Sequence, residues 1–225
     1  IIATALLELV ETSENVIVMG HHASDLDCVG SAVALAQAIR RLGKPAIIAI
    51  DRESSLASSL ISKVSENGND NLFIHPSVAK DYVTRRTLLI VVDTHNPLFV
   101  ESNELYKMCK NVVVIDHHRK MVNHIDNAVV FHHEPFASST SEMVTELIQY
   151  FGDRCRPTRD DAEALLSGIM LDTKNFVLKT GVRTFEASAY LKRRGADTVE
   201  VKKMFANSLD TYKERSQLVA GAEVY

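Results

Sequence analysis

The stretch Val16-Ile17-Val18-Met19-Gly20-His21-His22-Ala23-Ser24-Asp25-Leu26-Asp27-Cys28 decides the fold. Its first four residues form an apolar, β-branched run that reads as a strand over Asn15–Met19. A helix is expected from about Cys28 to Leu42, closed by Gly43 as C-cap. Lys44-Pro45 then leads into a strand over Ala46–Ile50. Strand, helix and strand in this order make a parallel βαβ unit. Between the first strand and the helix lie one imidazole, His21, and two carboxylates, Asp25 and Asp27. They project from the carboxyl end of a strand, the edge where open α/β sheets build their sites.

Three further clusters of the same chemistry follow. Asp93-Thr94-His95 ends an apolar strand over Leu88–Val92, and Asp116-His117-His118 ends another over Val112–Ile115. Strands of unbroken Val, Ile and Leu are those covered by helices on both sheet faces. Asp172 follows Gly168-Ile169-Met170-Leu171. The expected fold class is therefore α/β, a mostly parallel sheet flanked by helices on both faces. Thr4–Thr12 and Ser54–Glu66 read as further helices, and Leu72–Ile74 as a short strand. Ser138-Ser139-Thr140-Ser141 marks a capped helix start before Glu142–Phe151. Thr158-Arg159-Asp160-Asp161 has the spacing of a capping box ahead of a helix to about Met170. Helices over Thr184–Arg194 and Val199–Leu218 complete the pattern. Residues 1–197 are expected to form the catalytic domain, and 198–225 a linker helix.

A length of 225 residues with 46% hydrophobic content supports a substantial core. The balance of 25 basic against 29 acidic side chains, a net charge of −4, argues against a duplex nucleic-acid binder. The three cysteines, Cys28, Cys109 and Cys155, form no Cys-x-x-Cys pair, which disfavours a disulfide framework or a cysteine-ligated zinc. A reducing, cytoplasmic setting is the simpler reading. Neither a signal peptide nor an apolar run of membrane-spanning length is evident. The chain starts at Ile1 and ends at Tyr225 without a clear stop, as an excised domain would.

Mixed Asp and His ligands suit first-row metals, and carboxylate-rich sets favour manganese or magnesium. Two such ions roughly 3.5–4 Å apart can hold a hydroxide for an in-line phosphoryl displacement. A pair needs a bridging carboxylate, and Asp93 is the natural one. His21 and Asp25 would complete one ion; Asp27, His117 and Asp172 the other. Against this, an Asp at a helix start is often only a cap, and a lone His at a strand end is seldom a ligand. The four clusters in this order carry more than any one of them. His22 reads as a neighbour of His21, His75 and His124 as surface residues, and His132 and His133 either as residues near the site or as structural ones.

The ordered set His21-x-x-x-Asp25-x-Asp27, Asp93-Thr94-His95, Asp116-His117-His118 and Asp172 resembles the DHH phosphoesterase superfamily, over about Val16 to Phe205. Ser24–Asp27, Ala137–Glu146, Leu171–Phe176 and Thr180–Ala187 look like the GdpP-type cyclic-di-AMP phosphodiesterases. The resemblance implies two Mn²⁺, with Mg²⁺ or another divalent cation as substitute, activating a hydroxide that opens cyclic-di-AMP to pApA. Asp93 and His118 would be catalytic, His118 facing the substrate phosphate. Asp116 would orient a ligand histidine, while His95, Ser139 and Arg183 would support the ligands or touch substrate. Proteins of this type carry two membrane helices, a PAS and a degenerate GGDEF domain upstream. Downstream lies a DHH-associated domain with a glycine-rich loop, yet no Gly-Gly-Gly-His occurs here. The expected partner is a cyclic dinucleotide, a homodimer is compatible, and membrane contact would come only through segments outside this chain. The expected location is the cytoplasmic side of a bacterial membrane-anchored protein. Two rivals remain. An oligoribonuclease or 3′-phosphoadenosine-phosphate phosphatase usually has a small residue where Leu26 stands. A nucleotide-sensing module would bind without cleaving.

Overall fold

The structure, a computed structural model, describes residues 1–205. Its elements run α1 (Ile2–Thr12), β1 (Asn15–Met19), α2 (Leu26–Arg41), β2 (Ala46–Ala49), α3 (Ser58–Val64), β3 (Phe73–Ile74), α4 (Pro76–Ala79), β4 (Thr87–Val92), α5 (Asn103–Met108), β5 (Asn111–Asp116), β6 (Val130–His133), α6 (Thr140–Ile148), α7 (Arg159–Asp172), α8 (Val182–Arg193) and α9 (Thr198–Lys203). The six strands form one sheet in the order β3-β2-β1-β4-β5-β6, and every pairing is parallel. The chain winds outward from β1 through β2 to β3. It then returns to the other side of β1 and continues through β4 to β6. The winding direction thus reverses between β1 and β4, and a crevice opens beyond their carboxyl ends.

The alternation of side chains sorts the core into two layers. Val16, Val18, Ile90, Val92, Val113 and Ile115 face the larger one, with α2, α6 and α7. Ile17, Met19, Leu89, Val91, Val112 and Val114 face the smaller one, with Leu105 of α5 and Ala79 of α4. Helices therefore cover both faces, as the unbroken apolar strands require.

Helix α2 starts two residues before the expected Cys28, because Asp25 is its N-cap and accepts from the amides of Asp27 and Cys28 at 2.9 and 3.1 Å. Asp27 in its first turn and Arg40 and Arg41 in its last complement the helix dipole. Helix α7 has the expected capping box, Thr158 with Asp161. It packs tightly on α2: a methyl on Gly30 would meet the Ala164 carbonyl at 2.3 Å, and one on Gly168 would meet Asp27 Oδ1 at 2.6 Å. Glycine at these positions lets α7 carry Asp172 up to the crevice. Directly after it, Lys174, Asn175 and Phe176 all take left-handed backbone and reverse the chain.

The expected helix over Ser54–Glu66 is shorter, running Ser58–Val64 before an irregular turn that bends at Gly68 with φ 85°. Strand β6 and helices α4 and α5 are additions to the sequence reading. Of the expected linker helix, Thr198–Lys203 is helical, and residues 206–225 lie outside the described residues. Among the described residues no helix is long and apolar enough to cross a membrane.

Candidate metal centre and cleft

Asp93 stands at the centre. It is 3% exposed, and its φ of 61° places it in left-handed backbone immediately after β4. Such a conformation in a residue other than glycine costs about 1–3 kcal/mol and is held only where surrounding structure enforces it. Its two oxygens look in different directions. Oδ2 lies 3.4 Å from His21 Nε2, while Oδ1 lies 3.5 Å from His117 Nε2 and accepts from Thr140 Oγ1 at 2.9 Å.

On the first side, His21 Nδ1 is 2.9 Å from the His22 carbonyl. A carbonyl only accepts, so Nδ1 carries a proton and Nε2 is the nitrogen turned to Asp93, available to a cation once its own proton leaves. Asp25 lines the same cleft. Only one of its oxygens caps α2, so the capping and the ligand readings of Asp25 coexist. Cys28 joins this group, its sulfur grouped with ligand atoms of His21 and Asp93 that all lie within 4.8 Å of one another. Burial pushes that thiol up to about 12.

On the second side, His117 Nε2 is 3.0 Å from Asp172 Oδ2 and 3.8 Å from Asp27 Oδ2. Asp27 is wholly buried and sits on the N-terminus of α6, accepting from the amides of Thr140 and Ser141, both at 2.8 Å. Burial, then repulsion from Asp93 and Asp172, raises its pKa well above the usual range. His117 is 2% exposed, yet neither ring nitrogen has a hydrogen-bond partner of proper geometry. A buried polar atom left unpaired costs about 1–3 kcal/mol. An imidazole paying that penalty while facing three carboxylates fits a divalent cation.

Asp116 binds elsewhere than expected. Its Oδ1 accepts from His118 Nδ1 at 2.8 Å and from the His118 amide at 3.1 Å, and its Oδ2 pairs with His95 Nδ1. It thus orients His118 and His95, not the buried His117. His95 Nε2 accepts the Met121 amide at 2.9 Å, so its proton resides on Nδ1, toward Asp116. His118 is half exposed, and with Nδ1 committed its Nε2 is the nitrogen left for a ligand. His133 Nε2 donates to the His118 carbonyl at 2.5 Å. His22, Asp93, His95, Phe99, His118 and Met121 are among the walls of an open cleft of about 430 Å³.

Of the expected residues, Asp27, His117 and Asp172 form the second ligand group behind the cleft lining, while Ser139 and Arg183 belong to neither the lining nor a ligand group. Ser139 is buried as the N-cap of α6, accepting from the Glu142 amide at 3.0 Å. Arg183 on α8 bridges Glu134 and Glu146, each at 2.7 Å. Sequence reasoning missed Thr140 and Ser141, which hold Asp93 and Asp27. Their signals in the sequence are membership of a capped helix start and of the Ala137–Glu146 stretch that carries the family resemblance, neither of which names their partners.

The electrostatics give a pH prediction. Burial opposes charge on His21 and His117, but the Asp93 carboxylate and the Cys28 thiol beside His21, and the Asp172 and Asp93 carboxylates beside His117, outweigh it. Their pKa values are pushed from 6.5 up to about 12 and about 11. A value raised in the folded state adds stability that is complete below 6.5 and is lost as pH climbs through about 11. The melting temperature of metal-free protein should therefore fall from neutral pH to about 10. Mn²⁺ must displace these protons, so its affinity should rise over the same interval with release of about two protons per chain. Calorimetry in buffers of different ionisation enthalpy reads this directly. Buffer-independent heats would show that the imidazoles are not displaced.

A family model described as the DHH family, N-terminal domain, matches residues 15–169. The chain is 39% identical over 229 residues to the cyclic-di-AMP phosphodiesterase PdeA of Listeria monocytogenes, covering 100% of this chain and 35% of that protein. It is also 39% identical over 228 residues to the cyclic-di-AMP phosphodiesterase GdpP of Bacillus subtilis, again with 100% and 35% coverage. The chain thus spans about a third of the length of these curated relatives. Among solved structures, an exopolyphosphatase-related protein from Bacteroides fragilis superposes with a TM-score of 0.79 at 16% identity, covering 99% of this chain and 66% of that one. That likeness concerns the fold alone.

Proposed function

The chain belongs to the DHH family, and from that premise we propose that it is a metal-dependent phosphodiesterase that opens cyclic-di-AMP to linear pApA. The observation that carries the proposal is Asp93, whose two oxygens face two separate His/Asp groups. His21, Asp25 and Asp93 would hold one cation, and Asp27, His117, Asp172 and Asp93 the other. Mn²⁺ suits this donor set, and Mg²⁺ is the natural substitute. Two bound cations supply Lewis acidity and positive charge for displacement at phosphorus.

The chain's own residues do the rest. Thr140 fixes one oxygen of Asp93, and the N-terminus of α6 fixes both oxygens of Asp27, so neither carboxylate has to reorganise. Asp116 holds His118 with Nε2 free to donate to a phosphate oxygen. In this reading the chain is the catalytic part of a longer bacterial protein, which the partial coverage of its relatives supports, and a membrane anchor and a cytoplasmic location belong to the proposal alone.

A product assay with Mn²⁺ tests the proposal, offering cyclic-di-AMP, pApA, 3′-phosphoadenosine phosphate and short RNA. Cyclic-di-AMP should be consumed fastest, with pApA as the first product. Preference for RNA or for the 3′-phosphate would move the chain to the other branch of the family. Tight binding of cyclic-di-AMP without turnover would make it a sensor.

A further inference from the structure

We infer that Phe99 and Met121 form a clamp that stacks a base of the substrate beside the scissile phosphate. The inference rests on the phosphodiesterase reading and adds a recognition element to it. Both side chains are large, apolar and about two-fifths exposed, Phe99 at 43% and Met121 at 41%. Single exposed apolar residues are ordinary. These two share one cleft with Asp93 and His118, the residues placed at the phosphate.

Their backbones are pinned. The Phe99 carbonyl accepts from the His22 amide at 2.9 Å and from His22 Nδ1 at 2.9 Å, and the Phe99 amide donates to Asn96 at 3.0 Å. The next residue, Val100, pairs with His21 in an antiparallel bridge. The Met121 amide donates to His95 Nε2 at 2.9 Å, and Asn96 Nδ2 reaches Met121 Sδ at 3.5 Å. Phe99 is thus tied to the loop carrying His21, and Met121 to the loop that follows Asp93. The apolar wall therefore keeps a fixed position relative to the proposed metal centre.

A base placed there gains an aromatic face from Phe99 and a polarisable thioether from Met121. A fixed wall also lowers the ordering cost of binding. A nucleotide is the ligand that presents a flat π-surface one sugar away from a phosphate. The arrangement fits either base of a dinucleotide and asks for no hydrogen bond to the base edge.

Calorimetry on the Mn²⁺-loaded protein tests this with two probes, AMP and ribose 5-phosphate, which differ by the base alone. Phe99→Ala should weaken AMP by roughly 5- to 150-fold, the equivalent of about 1–3 kcal/mol for one lost stack. It should leave ribose 5-phosphate and Mn²⁺ stoichiometry unchanged. Met121→Ala should act in the same sense by less, and Phe99→Tyr should retain AMP affinity. Equal weakening of both probes, or unchanged AMP affinity, would overturn the clamp. Turnover of cyclic-di-AMP is read separately. Its absence in the unaltered protein, with AMP discrimination intact, would sink the enzymatic reading and leave the clamp standing. Turnover without discrimination would do the reverse.

Discussion

Replacing Asp93 with asparagine is expected to abolish tight binding of both cations. Cyclic-di-AMP hydrolysis should fall by more than the roughly 10²–10³-fold that loss of one charge-stabilising donor costs. The argument is geometric. Every other proposed ligand serves one ion, whereas Asp93 turns one oxygen to His21 and the other to His117. Removing its charge leaves His21 and Asp25 as the remaining set on one side, too few to hold a divalent cation against water. On the other side Asp27, His117 and Asp172 lose the carboxylate that faces His117 across the cleft. Asparagine is the better substitution than alanine because it tolerates the left-handed backbone at φ 61°. Its side-chain oxygen can also still accept from Thr140. Metal titration with circular dichroism as a folding control decides the matter. Two intact sites in Asp93→Asn would show that Asp93 bridges nothing.

The sheet was legible because its middle strands are unbroken runs of apolar residues. Thr87–Val92 differs from the expected strand by one residue at its start, and Asn111–Asp116 by one residue at each end. The αβ alternation, both cap motifs and the placement of the four clusters followed from local signals. Strand β6 was not legible. It is the edge strand, all four of its residues are only half buried, and two are histidines, so no apolar period marks it. Helix α5 is a short element capped by Ser102, too brief for a helical period to emerge. The least legible features are those that cross the chain. Thr140 reaches Asp93 across 47 residues, and Ser141 reaches Asp27 across 114. Nothing near either residue announces the contact. Asp116 makes the same point in another way: it is adjacent to His117 in sequence but bonded to His118 and His95 in space. At the end of β5 the Asp116 carboxylate closes a turn by accepting from the His118 amide, which brings the second neighbour, not the first, to its side.

That turn separates the two histidines and yields the second large effect. His117→Ala is expected to weaken the cation shared with Asp27 and Asp172. His118→Ala is expected to leave both cations in place and to slow turnover by roughly 10²–10³-fold. His117 is buried, and its Nε2 lies within 4 Å of Asp27, Asp93 and Asp172. His118 is half exposed on the cleft, and the nitrogen nearest Asp93, Nδ1 at 3.7 Å, is already bound to Asp116. A ring whose inner nitrogen is taken cannot ligate through it, but it can donate outward. The Asp116 hydrogen bond, with burial opposing it, raises the His118 pKa and so favours the protonated, donating form. Asp116→Asn should then reproduce part of the His118→Ala loss in kcat, again without loss of metal, because it frees the ring that His118 must present. Metal analysis beside steady-state kinetics on the three variants distinguishes the roles. Metal lost from His118→Ala and retained in His117→Ala would exchange the two assignments. Equal retention in both, with equal loss of rate, would mean that neither histidine touches a cation and that His21 and the carboxylates hold the pair.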